Sequence, residues 1–198
     1  MDGPMRELTE EQMEARRTAG VDAFDEVWEG VLHVAPDPSI PHQRLEASLL
    51  VWMRTHWMSR GRRECLARTN VAKPGLEDWR RDHRIPDLVA WTGSSSHVAH
   101  GAYLEGCPEI AMEIRSPDDA SYSKLATYLD WGAREVWIID RDTCAVEIYE
   151  RGDVESVERR GYQAGGWVES AFGIRMRGHD GGLEIELVED PSTRARLP

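Results

Sequence analysis

The clearest hydrophobic pattern in the chain lies between Ile85 and Asp140. In Glu109–Arg115 the apolar Ile110, Met112 and Ile114 alternate with Glu109, Ala111, Glu113 and Arg115, the period of a strand with one apolar face. Val136-Trp137-Ile138-Ile139 is apolar throughout, which predicts a strand covered on both sides in a parallel sheet. Between them Leu125, Tyr128, Leu129 and Gly132 recur at helical spacing. Ser116 is placed to cap that helix, Pro117 to sit in its first turn, and Asp118 and Asp119 to lie near its positive end. Upstream, Ile85-Pro86-Asp87-Leu88-Val89-Ala90-Trp91 reads as another strand, followed by a polar loop from Gly93 to Gly101. Strand, loop, strand, helix, strand in this length predicts a right-handed crossover.

The flanking patterns are simpler. Thr9 with Gln12 fits a capping box opening a short polar helix to Ala19, so residues 1–20 are expected to form an arm. Residues 27–34 predict a strand pair or one bent strand with Gly30 at the bend. Pro41 opens a helix to about Trp57 whose inner stripe is Leu45, Leu49, Trp52 and Met53. Residues 63–71 read as a strand and 73–84 as a charged loop. After Asp140, a turn at Arg141-Asp142, a strand through Val146–Tyr149 and short alternating segments to Val188 predict antiparallel additions to the sheet. The expected architecture is α/β, a mixed sheet flanked by helices with extra antiparallel strands. Residues 21–190 form the domain and residues 191–198 a tail.

Composition narrows the setting. A chain of 198 residues is one domain with room for a real core. No apolar run approaches a membrane span, and no signal-peptide pattern opens the chain. Cys65, Cys107 and Cys144 are odd in number and lack zinc or redox spacing, which points to the reducing cytoplasm. The net charge of −12 excludes a protein that coats nucleic acid through its general charge. Binding to nucleic acid would need a local patch, a metal bridge or a partner subunit. Lys73, Arg80, Arg81 and Arg84 make the one dense basic stretch near the central unit, either a phosphate-backbone contact or a solvated loop.

The candidate chemistry rests on spacing. Glu113 lies three residues before Ser116, roughly 10 Å back along a strand. Lys124 lies seven residues beyond Pro117, roughly 10 Å along a helix. If the helix folds back on the strand, the two side chains reach the same level. Only Lys73 and Lys124 are lysines among 24 basic residues. Lysine, unlike arginine, is a compact charge whose pKa burial can move. On the first long helix, His42 and Glu46 share the apolar stripe one turn apart, and a carboxylate there needs an arginine or a metal. Asp87 and Glu113, on neighbouring strands, are suited to a hard cation such as Mg2+ or Mn2+, with the Ile114 carbonyl and Glu46 as further oxygens. His97 and His100 have a loose metal spacing with no helix to carry it and are set aside.

Taken in order, Glu29-Gly30, His42, Ile85-Pro86-Asp87-Leu88, Met112-Glu113-Ile114-Arg115-Ser116-Pro117, Lys124 with Tyr128, and Glu135-Val136-Trp137-Ile138-Ile139-Asp140 resemble the PD-(D/E)XK nuclease superfamily. The resemblance is to its bacterial restriction-endonuclease branch of domains of unknown function, over about Trp28 to Leu187. It implies a restriction-endonuclease-like core, with Asp87 and Glu113 as metal ligands and Lys124 as catalytic lysine. His42, Glu46, Arg115 and Tyr128 would support them. The chain departs from the superfamily where the usual lysine, two residues after the acid, is Arg115; the lysine has moved to the helix. The expected function is metal-dependent hydrolysis of DNA by a homodimer. The alternatives are a vestigial nuclease fold used as a scaffold, and a phosphoesterase for something smaller than a duplex.

Overall fold

The computed structural model describes residues 9–20, 22–34, 37–117, 119–152, 157–161 and 166–198. Its elements in order are helix α1 (Glu10–Ala19), strands β1 (Glu26–Trp28) and β2 (Val31–His33), helix α2 (Ile40–Trp52), and strands β3 (Arg63–Ala67), β4 (Val71–Ala72), β5 (His83–Arg84), β6 (Leu88–Thr92), β7 (Val98–Ala99), β8 (Leu104–Glu105) and β9 (Ile110–Arg115). Helix α3 (Leu125–Asp130) follows. Then come β10 (Glu135–Asp140), β11 (Val146–Arg151), β12 (Val157–Gly161), β13 (Val168–Glu169), β14 (Ile174–His179), β15 (Gly182–Leu187) and β16 (Asp190–Leu197).

The central sheet runs β12-β11-β10-β9-β6-β3. Within it β9 and β10 are parallel, with Glu113 beside Ile138, while β6 and β9 are antiparallel, with Leu88 beside Met112. The chain therefore brings the strand after Asp87 next to the strand bearing Glu113. A second sheet, β2-β1-β5-β4-β8-β7, is built from short strands, and a third, β13-β14-β15-β16, closes the C-terminal side.

The alternation in β9 does not divide core from solvent. Residues 110–114 are all buried, because both faces of the central sheet are covered. Ile110, Met112 and Ile114 face one core with Leu45, Leu49, Trp52 and the third sheet. Ala111, with Val136 and Ile138 of β10, faces a second core built from Leu125, Tyr128 and Leu129 of α3. Glu113 has the same parity as Ala111 and so enters the α3 side.

Helix α2 starts where Ser39 accepts a hydrogen bond from the His42 N–H and Pro41 sits in the first turn. It continues as a wider π turn, Met53–Trp57. Its indoles tie it to the C-terminal region, Trp52 donating to the Thr193 carbonyl at 2.9 Å and Trp57 to the Phe172 carbonyl at 3.1 Å. The buried Glu135 carboxylate makes a similar tie, accepting from Trp137, Ser170 and the Ala171 N–H.

Several elements differ from the sequence reading. Residues 191–198, expected as a tail, lie mostly in β16, which pairs with β15 and buries Thr193 and Leu197. The strand expected over 63–71 breaks after Ala67, where Arg68 takes a left-handed backbone at φ 50°. Of the two forms expected over 27–34 the strand pair is present, a hairpin of β1 and β2 whose turn residues, Glu29 (φ 51°) and Gly30 (φ 89°), are both left-handed as a two-residue turn between twisted strands requires. Helix α3 begins only at Leu125, after a 3-10 turn over Ser121–Lys124. Ser116 and Pro117 are thus outside it; Asp118 lies outside the described residues. Asp119 is what organises the approach, accepting from the Ser121 N–H at 3.0 Å.

Because Leu49 is fully buried between α2 and the central sheet, Leu49→Ala is expected to cost about 2–5 kcal/mol. Urea unfolding would show this as a lower midpoint with an unchanged slope.

Candidate active site

Lys124 reaches the interior from the last residue of the 3-10 turn that leads into α3. Its side chain is 12% exposed, and its ammonium donates to Glu113 Oε1 at 3.1 Å, to Glu113 Oε2 at 3.3 Å and to Glu26 Oε1 at 2.9 Å. The Glu113–Lys124 proximity expected from spacing is present, although a loop and a 3-10 turn, rather than a helix from Pro117, carry the chain there. One helical turn on, the Tyr128 hydroxyl donates to Glu113 Oε1 at 2.6 Å.

Asp87 stands at the entry to β6. Its Oδ2 accepts from the Ile114 N–H at 2.7 Å and its Oδ1 lies 2.9 Å from His42 Nε2. Ile114 therefore engages Asp87 through its amide. His42 Nε2 is also 3.9 Å from Glu46 Oε2. Ligand-type atoms of His42, Glu46 and Asp87 all fall within 4.8 Å of one another. Glu46, which its place on the apolar stripe required to meet an arginine or a metal, meets Arg68, whose Nε donates to it at 2.9 Å and Nη2 at 2.7 Å, while it also stands in this group.

Two groups essential to this arrangement were not found from the sequence. Glu26 is buried in β1, just before the segment singled out as a strand, and an acid inside a short apolar strand is its only signal. Arg68 occupies a strand break that no Gly or Pro announces.

Other expected residues lie apart. Arg115 donates to Asp140 Oδ2 at 2.7 Å, its register partner on β10. The basic stretch does not make one patch. Arg84 is 4% exposed, donates to the Val27 carbonyl and Asp82 Oδ1, and lies against the rings of Trp28 and Trp131. Burial on a structural network removes it from any surface for phosphates. Lys73, Arg80 and Arg81 are exposed; Lys73 is 3.8 Å from Asp82 and Arg80 3.8 Å from Asp78. His97 and His100 go to Ser95 and Glu105 respectively. All three cysteines are buried and free of disulfides.

The electrostatics follow from three acids and one amine in a dry place. Burial pushes the Glu113 carboxyl up to about 8; Lys124 opposes this, while Asp87 and Glu26 add to it. Burial alone would lower the Lys124 ammonium, but Glu113 and Glu26 outweigh it and hold the amine above its ordinary value. Tyr128 is likewise raised by burial and by Glu113, so its hydroxyl stays protonated and donating. An excess of buried negative charge is the setting in which a hard divalent cation is favourable. The Asp87 and Glu46 oxygens with the His42 nitrogen are grouped closely enough to hold one.

Comparison with other proteins identifies the fold and the family. The fold resembles the crystal structure of a putative nuclease belonging to DUF820 from Anabaena variabilis ATCC 29413, at a TM-score of 0.58 and 18% identity, covering 75% of this chain and 82% of that one. The architecture is thus that of a nuclease fold. Residues 12–175 match the family described as "Putative restriction endonuclease" (Uma2), and the chain belongs to that family. No curated protein matches it. Among the described residues, no helix is long and apolar enough to cross a membrane.

The Glu113 carboxyl gives a pH signature. Its folded pKa of about 8 lies above the ordinary 4.5, so the folded state keeps a proton that the unfolded chain releases. The stabilisation is complete below pH 4.5 and disappears as pH rises through 8. Melting temperatures of cation-free wild type minus those of Glu113→Gln should therefore decline across that window; a flat difference would contradict the shift.

Proposed function

We propose that the protein is a magnesium-dependent endonuclease that hydrolyses DNA phosphodiester bonds, working as a homodimer in the cytoplasm. The observation that supports it best is the buried Lys124 ammonium at 3.1 Å from Glu113, on the strand beside the one that follows Asp87. Asp87 and Glu113 would hold the cation, with Glu46 and His42 beside them. When bound, the cation would supply charge stabilisation on the non-bridging oxygens and lower the cost of deprotonating the attacking water.

The chain's own groups then have distinct tasks. Tyr128 fixes the Glu113 carboxylate by donating to Oε1, which Lys124 also engages, so Oε2, with only the longer Lys124 contact, would be the oxygen that turns to the cation. The Ile114 amide fixes Asp87 in the same manner. His42, against the other Asp87 oxygen, sets the position of that carboxylate relative to Glu46. Lys124 orients the attacking water and screens charge developing on the phosphate. Its ammonium is held charged by two carboxylates, which favours this electrostatic role over proton abstraction. The exposed Lys73, Arg80 and Arg81 are the candidate backbone contacts; a second subunit would double this basic surface and supply the second cut.

One observation favours a different reading. Arg68 already neutralises Glu46, as a chain that had lost its cation would require, and the net charge of −12 opposes DNA. That reading is a scaffold of nuclease fold without activity.

Calorimetry with magnesium or manganese separates the two. The enzyme reading expects wild type to bind and Asp87→Ala to lose binding. Plasmid cleavage should fall by at least about 100-fold in Lys124→Met, the scale of removing one electrostatic contact to a transition state. A wild type that takes up no cation, or takes it up equally after Asp87→Ala, would leave the scaffold.

A further inference from the structure

Lys124 has three N–H donors and two carboxylate partners, and only one partner, Glu113, belongs to the proposed cation site. Glu26 comes from β1, in a different sheet from β9. It is 5% exposed and fixed by three donors: Oε1 accepts from Lys124 at 2.9 Å and from the Ile85 N–H at 2.7 Å, and Oε2 from Trp28 Nε1 at 2.7 Å. Such a carboxylate has no freedom to turn toward another ligand. Ile85 immediately precedes Pro86-Asp87, so the same acid also ties the N-terminal hairpin to the strand entry bearing Asp87.

A conflict in the site explains why a second acid is needed. Lys124 and a divalent cation would compete for the Glu113 oxygens, and the two positive charges repel at short range. With Glu113 as its sole anchor, the ammonium would either block the cation or be expelled by it. A fixed anion on the other side of the amine removes that choice. Glu26 Oε1 is closer to the ammonium than either Glu113 oxygen.

We propose that Glu26 is a positioning residue, holding the Lys124 ammonium in the site so that the amine stays in place when Glu113 turns to a divalent cation. The proposal rests on the nuclease reading for its consequence, but the anchoring itself is measurable without metal or substrate. The chain has two lysines, so 15N-lysine labelling yields only two side-chain ammonium signals, and Lys124→Met assigns them. In the cation-free wild type the Lys124 ammonium should exchange slowly with water. In Glu26→Gln the amide retains an acceptor oxygen but not the charge, and the signal should shift or be lost to exchange. Glu26→Asp, which keeps the charge on a shorter arm, should recover part of it and serves if the glutamine variant does not fold.

On the enzyme, Glu26→Gln should lower kcat at least roughly tenfold with KM for the nucleic acid little changed, since the amine acts on the reacting phosphate rather than on general binding. Magnesium affinity should weaken severalfold in Glu26→Gln, because Lys124 then falls wholly onto Glu113. The same substitution in a Lys124→Met background should leave that affinity within twofold. A folded Glu26→Gln protein whose Lys124 resonance and exchange match wild type would overturn the proposal. So would an equal loss of magnesium affinity with and without Lys124. If wild type neither binds magnesium nor cleaves, the nuclease reading fails, and the Lys124 resonance alone decides the role of Glu26.

Discussion

The site depends on one buried positive charge divided between two buried carboxylates. Taking such groups out of water is costly unless each is paired and its remaining hydrogen bonds are made. Here nearly every oxygen is occupied: Glu26 by Lys124, Ile85 and Trp28, and Glu113 by Lys124 and Tyr128. The pairing still leaves more negative than positive charge; burial is what chiefly lifts the Glu113 carboxyl, and the neighbouring Asp87 and Glu26 add to it. A fold selected only for stability would do as well with apolar groups of similar volume in this space. Two acids, an amine and a phenol stand there instead.

That constraint also explains why two sheets and the turn into α3 meet where they do. Glu26 is on the small second sheet, Glu113 on the central one, and Lys124 on the turn entering α3. The ammonium is therefore a joint between layers as well as a candidate chemical group. Asp87 plays the corresponding part on the other side, joining the Ile114 amide of β9 to His42 of α2.

Much of this was legible in the sequence because its signals are local. The apolar run of β10, the alternation of β9 and the stripe of α2 each set an element, and strand rise against helix rise placed Lys124 near Glu113. What remained illegible was long-range. Glu26 is 98 residues from the lysine it holds, and no period along the chain links them. Arg68 reaches Glu46 from a left-handed residue in a strand break, a conformation that neither Gly nor Asn marks. Arg84 counted toward a basic surface because charge is visible in sequence while burial between two tryptophans is not. The C-terminal residues read as a tail since proline and charge obscure the pairing of β16 with β15.

The arginine at position 115, where the superfamily pattern expects a lysine, has a structural reason. Residue 115, two after the acid, shares its face of the strand but lies one pleat farther along, about 6.6 Å away. At that level the neighbouring strand presents Asp140, the register partner that Arg115 binds. The guanidinium is thus committed to closing the end of β9 against β10, and a lysine there would meet the same carboxylate. The charge beside Glu113 has to come from whatever covers that face. The covering element is the turn into α3, whose late start, after the Asp119 contacts, points residue 124 down at the sheet. An amine carried by this turn is anchored apart from the strand, which allows a second acid, Glu26 of another sheet, to take hold of it.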